Sequence, residues 1–158
     1  FRWIARLNNW GAGACLADDM GLGKTVQTIA YLLYKAAEGA SLVVAPASVI
    51  PNWRKELQKF APTLKAVVLN EADDRPAVLE TSGAYDVILS TYGLLVTEME
   101  ALTTKEWNVV CLDEAHTIKN RDTKTSGAAM RLQAASRFFL RVLPYKIIWV
   151  SYGICSGL

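Results

Sequence analysis

The stretch Ala14-Cys15-Leu16-Ala17-Asp18-Asp19-Met20-Gly21-Leu22-Gly23-Lys24-Thr25 decides the reading of this chain. Ala14 to Ala17 is a short apolar strand that runs into a loop with glycines at positions 21 and 23. Glycine reaches backbone conformations closed to other residues, so successive N–H groups can converge on an anion. Lys24 adds a cation and Thr25 a hydroxyl. The helix that follows offers its N-terminus to negative charge. These are the parts of a phosphate-binding loop of the general form G-x-x-x-x-G-K-S/T, with Asp18 where the first glycine stands. The competing reading is a glycine-rich turn that merely caps a helix.

Far downstream, the apolar run Val109-Val110-Cys111-Leu112 ends in Asp113-Glu114-Ala115-His116. An aspartate at the end of a buried strand is suited to hold Mg²⁺, directly or through water, and a glutamate next to it to orient or deprotonate an attacking water. Two surface carboxylates in a loop are the bland alternative; the apolar strand and the partner loop argue against it. The two motifs in this order predict a nucleotide-hydrolysing site with ATP and Mg²⁺ as cofactors. Asp18, Asp19, Met20, Gly21, Leu22, Gly23, Lys24 and Thr25 would surround the nucleotide, and Thr25 and Asp113 would hold the metal. Lys24, Asp113 and Glu114 would carry the catalysis. His116 is the only histidine. It reads either as a structural residue or as a coupling hinge between the nucleotide and the rest of the protein, with proton transfer the weakest of its three possible roles.

A length of 158 residues suits one domain with a real core. Apolar residues make up 52%, charged residues 20%, and the formal charge is +2. No basic stripe advertises nucleic acid, yet a few lysines and backbone amides suffice to grip phosphates. Cys15, Cys111 and Cys155 have no metal-type spacing and read as free thiols. There is no signal-peptide pattern and no apolar run of the ~18 residues needed to cross a bilayer. The chain opens at Phe1, inside a helical pattern, and so reads as a piece of a longer protein.

Around the two motifs, strands and helices alternate. Helices are predicted over Phe1 to Trp10, Thr25 to Ala37 (stopped by Gly39), Pro51 to Phe60, Arg75 to Thr81, Gly93 to Ala101 and Thr125 to Ala134. Strands are predicted over Ala14 to Ala17, Leu42 to Ala45, Lys65 to Leu69, Asp86 to Ser90 and Val109 to Leu112. The strands are continuous apolar runs rather than alternating patterns, which is the mark of strands buried on both faces. An α/β fold follows, a mostly parallel sheet with helices on both faces.

The loop Asp-Asp-Met-Gly-Leu-Gly-Lys-Thr and the segment Asp-Glu-Ala-His-Thr-Ile-Lys-Asn together closely resemble the Swi/Snf family of helicase-like, DNA-translocating ATPases. Leu42 to Trp53 and Asp86 to Tyr92 resemble two further motifs of that family, in order and at suitable spacing. Asp18 in place of glycine is normal for it. The resemblance covers residues 1 to 140 and implies an incomplete first RecA-like lobe with a P-loop (Walker A) and a DEAH-type acid motif. Its partners would be a second such lobe, missing from this chain, and double-stranded DNA bound without regard to sequence. No membrane is implied. Carried over by position, Ser48, Asn52, Thr91 and Tyr92 would lie near the DNA backbone. Trp53 reads as a core anchor of its helix rather than a base-stacking group, and Lys55 and Lys59 as a solvated face. The implied location is bacterial cytoplasm, in association with the nucleoid, or alternatively a nucleus.

After Arg137-Phe138-Phe139-Leu140 the family continues with a Thr-Gly-Thr-Pro-type segment, whereas this chain reads Arg141-Val142-Leu143-Pro144 and onward. Back-translation offers one set of codons compatible with the tail that, regrouped after one added base, encodes that missing segment, so residues 141–158 are expected to be a frameshift product. The implied function is the ATP-binding lobe of a DNA translocase or nucleoprotein remodeller, nearly inactive alone because the second lobe supplies an arginine. A nucleotide-dependent binding module is the alternative. A small P-loop kinase is disfavoured by the long insertion between loop and acid pair.

Overall fold

The computed structural model describes residues 14–17, 22–115 and 123–141, with side chains for 25–115 and 124–140. The expected first helix, the loop residues Asp18 to Gly21, His116 and the tail beyond Arg141 lie outside the described residues.

Leu42, Val43, Val44 and Ala45 are all fully buried, as are Val109 to Leu112. A strand with no exposed side must be covered on both faces, and here it is. Among the described residues six strands form one sheet: β1 (Ala14–Ala17), β2 (Ser41–Ala45), β3 (Lys65–Val68), β4 (Asp86–Thr91), β5 (Glu106–Leu112) and β6 (Gln133–Arg141). Their order is β1-β6-β5-β2-β4-β3, and every pairing is parallel.

Helices α1 (Leu22–Lys35) and α2 (Ile50–Phe60) cover one face. Ile29, Leu32, Trp53 and Leu57 pack there with Val43, Val87 and Cys111. Helices α3 (Arg75–Thr81), α4 (Tyr92–Thr97), α5 (Met99–Thr104) and α6 (Thr123–Arg131) accompany the other face. Leu79, Leu95, Leu102 and Ala128 pack there with Leu42, Ile88 and Val110. Alternate residues of one strand thus feed two separate cores.

Local chemistry sets the boundaries. Pro51 sits in the first turn of α2, where its missing N–H is no loss. Asp74 caps α3 by accepting from the Ala77 amide, and Thr91 caps α4 by accepting from that of Leu94. After α1 and a short 3-10 turn, Gly39 stops the helix at φ 154°, a conformation nearly reserved for glycine. A Cβ there would sit 3.3 Å from that of Asn108, whose amide nitrogen donates to the Lys35 carbonyl at the end of α1.

Three sequence expectations change. The helix expected over Gly93 to Ala101 is two short helices broken at Glu98, whose φ of −105° and ψ of 24° leave the helical range. The helix expected over Thr125 to Ala134 ends at Arg131. Strand β6 was not anticipated at all. Its Gln-Ala-Ala-Ser start carries little β propensity, the apolar run Phe138 to Leu140 is only three residues long, and pairing with β1 and β5 on both sides completes the strand.

Candidate functional site

All strands being parallel, their carboxyl ends share one edge of the sheet, the usual place for ligands in open α/β folds. Strand β1 leaves that edge at Ala17, and α1 begins at Leu22. Strand β5 leaves it at Leu112, immediately before Asp113. Only β6 separates the two, with Ala17 level with Arg141 and Leu112 level with Phe139. Two strand spacings are about 10 Å, which separates the end of β1 from the acid pair along that edge. Thr25 lies in the first turn of α1 and is 8% exposed.

Asp113 is held from several directions. Its amide donates to the Val44 carbonyl at 2.8 Å, extending the ladder between β5 and β2. Its Oδ1 accepts from the Glu114 amide at 2.8 Å, and its Oδ2 accepts from the Trp53 indole Nε1 at 2.7 Å. The Tyr92 hydroxyl donates to the Asp113 carbonyl at 2.6 Å. Glu114 then adopts φ 49°, the left-handed region uncommon for side-chain-bearing residues. The Ala115 amide returns to the Leu140 carbonyl of β6 at 3.1 Å. This backbone costs about 1–3 kcal/mol and turns the acid pair sharply off the strand end.

The oxygen donors suit magnesium. A carboxylate has about four lone-pair sites, so each Asp113 oxygen keeps one beyond its protein partner. Mg²⁺ takes oxygen ligands and uses few carboxylates, drawing the rest from water and phosphate. Cys111, the residue two before Asp113, is fully buried, and burial first, then the Asp113 charge, pushes its thiol well above the ordinary range. It is a core group and an unreactive thiol.

Of the residues expected near DNA, Ser48 and Asn52 are exposed and Thr91 is partly exposed, with its hydroxyl accepting from Asn70 Nδ2 at 3.3 Å. Tyr92 is different. Its side chain is 1% exposed and its hydroxyl is donated to Asp113, so the ring is a core group and not a backbone-phosphate contact. Trp53 is fully buried, as expected of a helix anchor. Its link to Asp113 was not anticipated. A buried indole must find an acceptor, but the sequence shows that need without showing the partner.

A family comparison matches the SNF2-related domain to residues 1–144. This chain belongs to the SNF2-related domain family. Among similar proteins, the candidate ATP-dependent helicase/translocase YwqA of Bacillus subtilis is 44% identical over 151 residues, covering 91% of this chain and 16% of its own length. Helicase SWR1 of Debaryomyces hansenii is 37% identical, covering 91% and 9%. A solved structure of the Sulfolobus solfataricus SWI2/SNF2 ATPase core in complex with dsDNA superposes with a TM-score of 0.77 at 40% identity, covering 90% of this chain and 30% of that one. The SNF2-related domain therefore has the RecA-like α/β architecture expected from its motifs, and this chain spans a small part of the relatives it matches.

Proposed function

We propose that this chain is the ATP-binding lobe of an ATP-dependent, double-stranded-DNA translocase of the remodelling type. The supporting observation is the shared carboxyl edge, with the end of β1 and Asp113-Glu114 two strands apart. In this reading Asp18 to Thr25 wrap the nucleotide, Lys24 neutralises β- and γ-phosphate charge, and Thr25 and Asp113 hold Mg²⁺. Magnesium, when bound, draws charge from the phosphate oxygens. Glu114, carried by its left-handed turn, orients the water. Exposed Ser48 and Asn52, with Thr91, meet the DNA backbone from the same edge, and His116 links nucleotide state to the remaining motor.

The test is Mg²⁺-ATP binding by calorimetry. The unsubstituted chain is expected to bind and Lys24→Ala to lose binding at least tenfold; equal affinities would sink the reading. Glu114→Gln should keep ATP binding, and when joined to a second lobe should lose turnover. Unchanged turnover would take Glu114 out of the chemistry, whereas ATP binding with no turnover by the unsubstituted two-lobe protein would favour the nucleotide-dependent binding module.

The tail is read as a frame-shifted stretch. The family match ends at residue 144, next to where the reading changes. The coding DNA decides it, since codons incompatible with the regrouping would end the idea. Similar proteins come from a bacterium and from eukaryotic chromatin-remodelling complexes. The compartment follows the DNA, cytoplasm in the one case and nucleus in the other.

A further inference from the structure

Asp113 is gripped through the sheet. Trp53 belongs to α2 and the core on one face, whereas Tyr92 opens α4 and belongs to the core on the other. The indole holds a carboxylate oxygen at 2.7 Å and the phenol holds the carbonyl of the same residue at 2.6 Å. The side chain is thus fixed from one face and the backbone from the other.

An indole has one donor and no acceptor. At 0% exposure the Trp53 N–H cannot turn to water. Rotating the Asp113 carboxylate away would leave that donor unpaired in the core, which is costly. The Glu114 amide on Oδ1 fixes the carboxylate plane from its other end at 2.8 Å. With both oxygens so held, the remaining lone pairs have one orientation, set before any ligand arrives. Preorganisation of this kind by groups behind a metal ligand commonly accounts for 10–100-fold in metal affinity.

We propose that Trp53 is a positioning residue for the metal carboxylate Asp113, with Tyr92 as the opposing jaw. The proposal rests on the nucleotide–magnesium reading above. Neither residue touches nucleotide or metal; each acts through Asp113.

The test measures ATP binding to the full 158-residue chain as magnesium is titrated, with binding in EDTA as the reference. Trp53→Phe keeps a ring and loses the donor. It should need about 10-fold more Mg²⁺ for half-maximal ATP binding, with unchanged affinity in EDTA. Tyr92→Phe should shift the midpoint in the same direction by less. Leu57→Ala, buried on the same helix without a polar group, should weaken the fold and leave the midpoint in place. A folded Trp53→Phe chain with the unsubstituted midpoint overturns the proposal, and so does Leu57→Ala shifting the midpoint as far as Trp53→Phe. If Trp53→Phe does not fold, Tyr92→Phe decides, a raised midpoint supporting the bracket and an unmoved one overturning it. Failure of the underlying reading looks different: ATP then binds Lys24→Ala as well as the unsubstituted chain, or binds neither.

Discussion

At the scale of single residues, Gly39 and Tyr31 carry consequences beyond the site. Gly39 at φ 154° has Asn108 Cβ only 3.3 Å from where a side chain would begin. Gly39→Ala is expected to destabilise the chain by about 1–3 kcal/mol, read from urea unfolding; a loss below a few tenths would show that the turn adapts freely. Tyr31 is fully buried, and its hydroxyl meets Ser136 Oγ at 3.1 Å. Burial raises its phenol above the ordinary 10.0, outweighing the hydrogen bond to Ser136, which lowers it. The folded chain therefore keeps a proton that the unfolded chain releases. That contribution is complete below pH 10.0 and is lost as pH rises through the higher folded value. Tyr31→Phe should show a shallower fall of stability in that alkaline range, and an identical slope would refute the assignment.

At the scale of elements, the best-read pieces were those with one dominant signal. The β1 strand and α3 were legible at their observed bounds, Ala14–Ala17 and Arg75–Thr81. An apolar run before glycines marks the first; Asp74 and Pro76 mark the start of the second. Strand β6 offered only the short apolar run Phe138 to Leu140. Phe138 shows what holds it: 2% exposed and edge-on to Tyr31 at 4.7 Å between ring centroids. Phe138→Ala is expected to lose about 3–5 kcal/mol, measured by chemical denaturation. A loss under about 1 kcal/mol would be too small for a buried core phenylalanine. Because β6 lies between β1 and β5, the two halves of the site depend on the strand that sequence reading overlooked.

At the scale of the whole molecule, net charge and the proposed need for a second lobe set the expectations. With a formal charge of +2, the proposed DNA binding would come from local contacts rather than a broad basic field. We expect weak duplex binding that falls steeply with salt and is equal for unrelated sequences, measured by anisotropy at two salt concentrations. A strong preference between two arbitrary duplexes would contradict it. Turnover by this chain alone should lie about 10³–10⁵ below that of an assembled motor, because the arginine that stabilises the transferring phosphate belongs to a second lobe in this reading. DNA-stimulated hydrolysis at motor rates by the 158 residues alone would overturn that expectation.

The glycine–lysine–threonine turn, the acid pair and the apolar strands were legible from the sequence because each is a local pattern with a local cause. Anion binding needs adjacent N–H groups, and a doubly covered strand needs an unbroken apolar run. Such local patterns carried the fold class and the chemistry proposed for the candidate site. Tertiary structure decided which distant groups share Asp113. Trp53 lies 60 residues away in sequence and Tyr92 lies 21 away. Their meeting depends on the strand order, which puts β2, β4 and β5 side by side. Hydrogen-bond partners chosen by sheet order leave no trace in local spacing.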